Sequence, residues 1–190
     1  MSNLKFRNAS PVRTYVAADL SPYNKYKAFL AADFQNRCGY TDCLDFWFGG
    51  PSTFHIDHFK PKSIYPELEI KYTNLVYASA FVNRAKRDDD GSYLDPCDVD
   101  YNLHFERNLI GEIVPNPDSP QASYMYKKLK LYLKRYSVIW LLENIKDRID
   151  KVSRAIDSTV DSALKTELKE AYYDLNREFH TYLDYLRAER

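Results

Sequence analysis

The chain has 190 residues and an apolar fraction of 45%, which is enough for one domain with a sizeable core, with or without a helical extension. It carries 27 basic and 27 acidic residues, and this balance argues against a protein that coats DNA with its whole surface. No segment approaches the roughly 18 apolar residues of a membrane helix, and the N-terminus lacks the apolar segment of a signal peptide. We therefore expect a soluble, cytoplasmic protein without membrane contact. Its three cysteines, an odd number, argue against a secreted disulfide scaffold.

The first part of the chain predicts an aromatic helix. Ser21-Pro22 is typical of an N-cap followed by proline at the first helical position. An apolar stripe at four-residue spacing follows it: Tyr26, Leu30 and Phe34. We expect a helix over about 22–37, with Gly39 as its C-cap.

Two cysteines come next. Cys38 and Cys43 are separated by four residues, which lies at the edge of the spacing found in zinc knuckles. The alternative is a pair of ordinary buried cysteines.

Several polar side chains fall in and after a predicted strand over 53–59, where apolar and polar residues partly alternate. The period of two places His55 and Asp57 on one face. His58 lies at the end of the strand, because Pro61 forces the chain out of the ladder.

A second strand and a helix follow. Residues 75–78 form a short apolar run, which predicts a second strand or a tight connection, and a helix is predicted from about Ser79. On that helix, Asn83 shares a face with Lys86 or Arg87, which are three and four residues further on.

The rest of the chain predicts small strands and then long helices. Residues 92–118 indicate loops, with a hairpin formed by 104–105 and 111–114. Neither Gly nor Pro occurs after Pro120, which favours long helices. Two apolar stripes at helical spacing predict an antiparallel helical hairpin: Leu142, Ile145, Ile149, Val152, Ile156; and Leu164, Leu168, Ala171, Leu175, Phe179, Tyr182, Leu186. This hairpin is expected to pack on the preceding domain, or to serve as a stalk for a partner or a second copy.

The polar residues of the middle segment suit phosphodiester hydrolysis. The reaction needs a base for the attacking water, and a largely neutral histidine such as His58 can provide it. It also needs stabilisation of negative charge, which a divalent cation supplies as a Lewis acid. Mg²⁺ prefers oxygen ligands and retains water, so the oxygens of Asp57 and Asn83 can suffice.

Three blocks of this segment, in order, are similar to the HNH endonuclease motif: FHIDHFKPKS at 54–63, YTNLVY at 72–77 and NRAK at 83–86. The resemblance implies a ββα-metal fold, which also occurs in one nuclease domain of CRISPR effectors. It further implies DNA as the substrate and Mg²⁺ or Mn²⁺ as the cofactor.

The resemblance implies a role for each polar residue. Asp57 and Asn83 correspond to the metal ligands, His58 to the general base, and Asn74 to the residue that braces the loop carrying the base. The alternative for Asn74 is the cap of a turn. His55 is either a third metal ligand or a structural histidine.

Basic residues in the same blocks correspond to phosphate contacts. Arg84 and Lys86 match the basic helix positions of the family, and Lys60 and Lys62 are further candidates. His104 and His180 are interpreted as structural.

The resemblance departs from the family at the zinc site. Zinc-stiffened members carry a second cysteine pair before the final asparagine, where this chain has Ser79 and Val82. A four-thiolate zinc is therefore not expected. Cys97 or His104 could complete a site with Cys38 and Cys43, but the spacing does not require it.

A weaker resemblance extends downstream. LDPC at 94–97, HF at 104–105 and GEIV at 111–114 are similar to HNH proteins encoded beside ATPases in bacterial anti-phage systems of the Septu and retron-accessory type. This resemblance implies an ATPase partner and invasive nucleic acid as the target.

We therefore predict an α+β fold in which a small ββα-metal HNH core lies within a mostly helical chain. A nuclease domain is expected at 1–118, and a helical region ending in the long hairpin at 119–190. The predicted function is metal-dependent DNA cleavage in anti-phage defence. The alternatives are a degenerate HNH fold that only binds nucleic acid or protein, and a nuclease that is active only with its ATPase.

Overall fold

The computed structural model describes residues 4–188 and shows an α+β protein. The chain divides into two compact units, Met1–Leu133 and Lys134–Arg190. This division falls later than the expected boundary at 118/119, so the helix at Pro120–Lys128 belongs to the first unit.

The first unit contains small antiparallel sheets and short helices. Its elements are β1 (Leu4–Lys5), α1 (Lys27–Asp33), β2 (Phe54–His58), β3 (Leu75–Ser79), α2 (Ala80–Lys86), β4 (Phe105–Arg107), β5 (Ile113–Pro115) and α3 (Pro120–Lys128). One sheet has the order β1-β4-β5, and the other pairs β2 with β3. The predicted hairpin at 104–114 is thereby confirmed as β4 and β5.

The predicted helix at 22–37 is shorter than expected. A 3₁₀ turn at Tyr23–Tyr26 leads into α1, which ends at Asp33. The helix ends there because Gln35 and Asn36 take left-handed conformations, with φ of 53° and 57°. The aromatic and aliphatic stripe is buried as predicted.

Gly39 is not the C-cap of α1. Its N–H donates to the carbonyl of Tyr77 in β3, at 2.8 Å. A Cβ atom at this position would lie 2.7 Å from side-chain carbons of Phe34 and Val76. Gly39 therefore allows the chain to pack directly on β3.

Strands β2 and β3 lead directly into α2. They pair with Phe54 opposite Ser79 and His58 opposite Leu75. All five residues of β3 are buried, and the Ser79 hydroxyl accepts a hydrogen bond from the Val82 N–H, at 3.4 Å, which caps α2. Both predicted strands and the helix start are therefore confirmed.

The second unit is the predicted pair of long helices, α4 (Lys134–Ser158) and α5 (Ser162–Ala188). They pack through an apolar seam: Leu141, Ile145, Ile149, Val152, Leu175, Phe179 and Tyr182. The cap of α5 is Asp161, whose carboxylate accepts from the N–H groups of Ala163 and Leu164. Within residues 4–188, no helix is long and apolar enough to cross a membrane.

Candidate functional site

The first unit has an open cleft of about 310 Å³ between the end of β2 and one side of α2. It brings together residues of the first sequence block, 54–63, and of the third, 83–86. Among those that line it are Asp57, His58, Lys62, Asn83, Arg84 and Arg87. The antiparallel pairing of β2 with β3 and the direct entry into α2 place these residues side by side although they are distant in sequence.

His58 is held by a hydrogen bond at one of its two ring nitrogens. Its Nε2 lies 2.9 Å from the backbone carbonyl of Glu69. Because a carbonyl only accepts hydrogen bonds, Nε2 carries the proton, and Nδ1 of the neutral ring retains its lone pair. Burial lowers the pKa of His58 from its ordinary value, although the bond to Glu69 acts in the opposite direction. The imidazole is thus kept neutral with one nitrogen able to take a proton.

Asn74 connects the two ends of the loop that holds His58. Its side-chain oxygen accepts from the Lys60 N–H at 2.8 Å, and its amide donates to the carbonyls of Lys60 at 2.9 Å and Leu68 at 3.4 Å. The same loop supplies the Glu69 carbonyl. Asn74 is buried, and its contacts fit the bracing role expected from the sequence.

Asp57 points into the protein. Its carboxylate accepts from the Tyr40 hydroxyl at 2.6 Å and from the Lys86 ammonium at 3.3 Å. Asp57 is 3% exposed and Lys86 is fully buried. The ammonium also donates to the His58 carbonyl at 2.7 Å. Lys86 therefore neutralises Asp57 and holds the end of β2.

This position does not fit the phosphate contact expected for Lys86. A phosphate at the surface cannot reach an ammonium without exposed area. Lys86 lies four residues after Val82, which is also fully buried, so the two share the inward face of α2.

Asn83 and His55 meet at the exposed side of the site. The Asn83 amide nitrogen lies 3.1 Å from Nδ1 of His55, which accepts its hydrogen bond. The structure therefore brings these two together, whereas the buried carboxylate of Asp57 is bound by Tyr40 and Lys86. Among residues 4–188, no three or more His, Cys, Asp or Glu side chains are grouped to hold a metal.

The oxygen donors at the cleft nevertheless fit a hard cation that retains several waters. Asn83 and the exposed Asp88 both line the cleft. Asp57 also borders it, but Asp57 can bind a cation only if Lys86 or Tyr40 gives up a contact. Asp88 was missed in the sequence because it lies in an acidic run, which is typical of a solvated turn.

The positive charge open to a phosphate comes from two arginines. Lys60 pairs with Asp90 at 3.0 Å, and Lys62 pairs with Glu69 at 2.7 Å. Arg84 and Arg87 are exposed and form no ion pair within the described residues. In the sequence, the indication that Arg87 belongs to the site was its spacing of four residues from Asn83.

Two buried arginines hold the turn at 38–43, which begins at Cys38 and ends at Cys43. The Arg7 guanidinium donates to the carbonyl of Gly39 at 2.6 Å, and that of Arg107 donates to the carbonyl of Thr41 at 2.8 Å. Cys38 is buried, and its sulfur accepts from the Ser79 N–H at 3.5 Å.

Cys43 is buried as well, and Cys97 is half-buried. His104 bonds to the Ser119 hydroxyl at 2.8 Å, which fits a structural role. The turn at 38–43 is thus held in place by hydrogen bonds with protein groups, and these bonds require no metal.

Comparison of the chain with protein-family models, with curated proteins and with solved structures gave no match.

Proposed function

We propose that the protein is a metal-dependent endonuclease of the HNH type that hydrolyses phosphodiester bonds in DNA. The observation that carries the proposal is the state of His58. Its Nε2–H is fixed on the Glu69 carbonyl, so Nδ1 can act as a base in a cleft that also presents Asn83 and two unpaired arginines.

Each residue of the cleft has a task in this reaction. His58 accepts the proton of the attacking water at Nδ1. Arg84 and Arg87 bind the phosphate and offset its charge. Asn83, with Asp57 or Asp88, would hold Mg²⁺ or Mn²⁺, which when bound stabilises charge on the phosphate and the departing oxygen as a Lewis acid. Asn74 keeps the loop of the base in place.

Incubation with supercoiled plasmid tests the proposal. We expect nicked or linear product with Mg²⁺ or Mn²⁺, and none when EDTA removes the metal. The absence of product with every divalent cation, or the same product in EDTA, would contradict it for the isolated protein.

Replacing Asn83 with alanine is expected to weaken metal binding without unfolding the protein. Asn83 is half-buried and the one hydrogen bond of its side chain is to His55, so little packing is lost. We expect the Mn²⁺ concentration at half-maximal cleavage to rise about tenfold or more, because replacing residues around a metal usually lowers its affinity by at least this factor. Isothermal titration with Mn²⁺ measures the affinity directly.

The control for this variant is Asn176→Ala. Asn176 is half-buried, as Asn83 is, and also makes one side-chain hydrogen bond, to the Tyr172 carbonyl within α5. Its replacement should leave metal binding unchanged. An Asn83→Ala protein with the affinity of the wild type would remove Asn83 from the metal site.

The internal pairing of Asp57 favours a second candidate function. Since Tyr40 and Lys86 already bind its carboxylate, the fold could be a module that only binds nucleic acid or protein, or a nuclease switched on by a partner. The resemblance at 94–114 supports a partner ATPase and a role in anti-phage defence. Inactivity alone and cleavage after addition of an ATPase encoded alongside would favour the switched nuclease.

A further inference from the structure

A group of four aromatic rings, two exposed and two half-buried, lies on the first unit and is here called the aromatic ledge. It consists of Phe46, Trp47 and Phe48, from a 3₁₀ turn at Asp45–Phe48, and of Phe81 from α2. Phe46 is 71% exposed and Phe81 is 47% exposed. The rings contact one another in two pairs: Phe46 with Trp47 at 5.1 Å and Phe48 with Phe81 at 6.0 Å between centroids.

The ledge is held rigidly in its exposed position. Buried Asp45 at the start of the turn accepts from the Tyr77 hydroxyl at 2.7 Å, and its N–H donates to the Asn36 carbonyl at 2.8 Å. At the other end, Gly49 and Gly50 have φ of 104° and 87°, which other residues adopt only with strain. Apolar rings kept exposed by a built scaffold indicate a contact surface.

The ledge borders the candidate site. The ring of Phe48 also contacts that of buried Phe54 at 5.5 Å, which anchors this end of the ledge on β2. Arg84 lies three residues after Phe81 on α2, so the two are neighbours on its outer face, and Arg84 lines the cleft. Exposed rings therefore continue into unpaired guanidinium groups.

This combination is complementary to a nucleic acid strand whose bases are free. Arginines neutralise phosphates, while aromatic rings stack on base faces without regard to sequence. In a duplex the base faces are covered by their neighbours, so only unpaired or displaced bases can use such a ledge.

We propose that the aromatic ledge stacks unpaired bases beside the scissile phosphate, so that the substrate is single-stranded or locally unpaired nucleic acid. The proposal rests on the proposed function, because the ledge serves the same cleft. Its binding can nevertheless be measured without cleavage.

The test uses full-length protein carrying His58→Ala, so that bound strands stay intact, and fluorescence anisotropy in Mg²⁺ buffer. The probes are labelled oligothymidylate, an abasic strand of equal length and a duplex. We expect tighter binding of oligothymidylate than of the abasic strand. Phe46→Ala and Phe81→Ala should each weaken oligothymidylate binding about five- to a hundredfold, which is the usual loss when an aromatic residue that stacks on a base is replaced by alanine. Neither variant should noticeably change the affinity for the abasic strand.

The control is Tyr173→Ala. Tyr173 is an aromatic residue of α5 with 68% exposure, comparable to Phe46. Its replacement should change none of the affinities. Circular dichroism of each variant verifies that the fold is kept.

Unchanged oligothymidylate binding in both ledge variants would overturn the proposal, and so would an equal loss of affinity for the abasic strand. Base binding through the ledge without any cleavage would refute the proposed nuclease and leave the ledge proposal standing. Cleavage that is unaffected by both ledge variants would refute the ledge proposal and leave the nuclease standing. Absence of all nucleic acid binding would refute both proposals.

Discussion

Replacement of His58 by alanine is expected to lower the rate of metal-dependent cleavage by about 10²- to 10⁴-fold, the usual contribution of a general base. The imidazole is half-buried, donates only to the Glu69 carbonyl and touches the ring of Tyr23, so its loss should leave the fold intact. The measurement is the initial rate of plasmid nicking at saturating Mg²⁺.

Two further experiments separate a base from a structural histidine. Free imidazole should restore part of the activity of His58→Ala, since the cleft leaves room for it, whereas lost packing would not be restored. The matched control is His180→Ala on α5, where the ring contacts Phe179. His180→Ala should cleave at the rate of the wild type. A His58→Ala protein with an undiminished rate would refute the proposed base.

Replacement of Lys86 by methionine is expected to lower the free energy of unfolding by about 3–5 kcal/mol, the cost of leaving a buried charge without its partner. Methionine keeps most of the volume, so the loss reports on charge rather than on a cavity. It removes the donor to Asp57 and to the His58 carbonyl together. Urea unfolding followed by tyrosine and tryptophan fluorescence measures the change.

A control and a double variant identify the cause. Lys60→Met breaks a pair with Asp90 whose lysine side chain is 41% exposed, and this should cost less than about 1 kcal/mol. Adding Asp57→Asn to Lys86→Met should recover a large part of the stability, because no buried charge then remains unpaired. Wild-type stability in Lys86→Met would show that the buried pair contributes nothing to the fold.

The buried pair of Asp57 and Lys86 also limits which oxygen atoms a metal can bind. A metal can use the Asp57 carboxylate only in exchange for a contact with Lys86 or Tyr40. If Asn83 and Asp88 hold the cation instead, Asp57 serves to fix the end of β2. Titration of Asp57→Asn and Asp88→Asn with Mn²⁺ distinguishes these two arrangements.

Local patterns in the sequence predicted much of the scaffold of the site. The alternation in 53–59 and the short apolar run at 75–78 correspond to β2 and β3, and Ser79 caps the helix that follows. These predictions succeed because strand period, caps and proline act over a few residues. The helical pair was predictable for the same reason, since its seam repeats at helical spacing.

The orientation of the polar residues was decided by tertiary structure. Adjacent residues of a strand point to opposite sides, so Asp57 and His58 could not both face the cleft fully. Which of them turned inward depended on Tyr40 and Lys86, which approach from distant parts of the chain. No local pattern contains that information.

The sequence by itself therefore determined the elements and the set of reactive residues. Tertiary packing decided which of those residues are accessible. Periodicity shows that Lys86 shares a face of α2 with Val82, but not that this face is covered. It likewise cannot show that the aromatic turn held by Asp45 packs against Phe81 of α2 while Phe46 stays exposed. Burial depends on contacts between segments far apart in the chain, and only the folded structure shows these contacts.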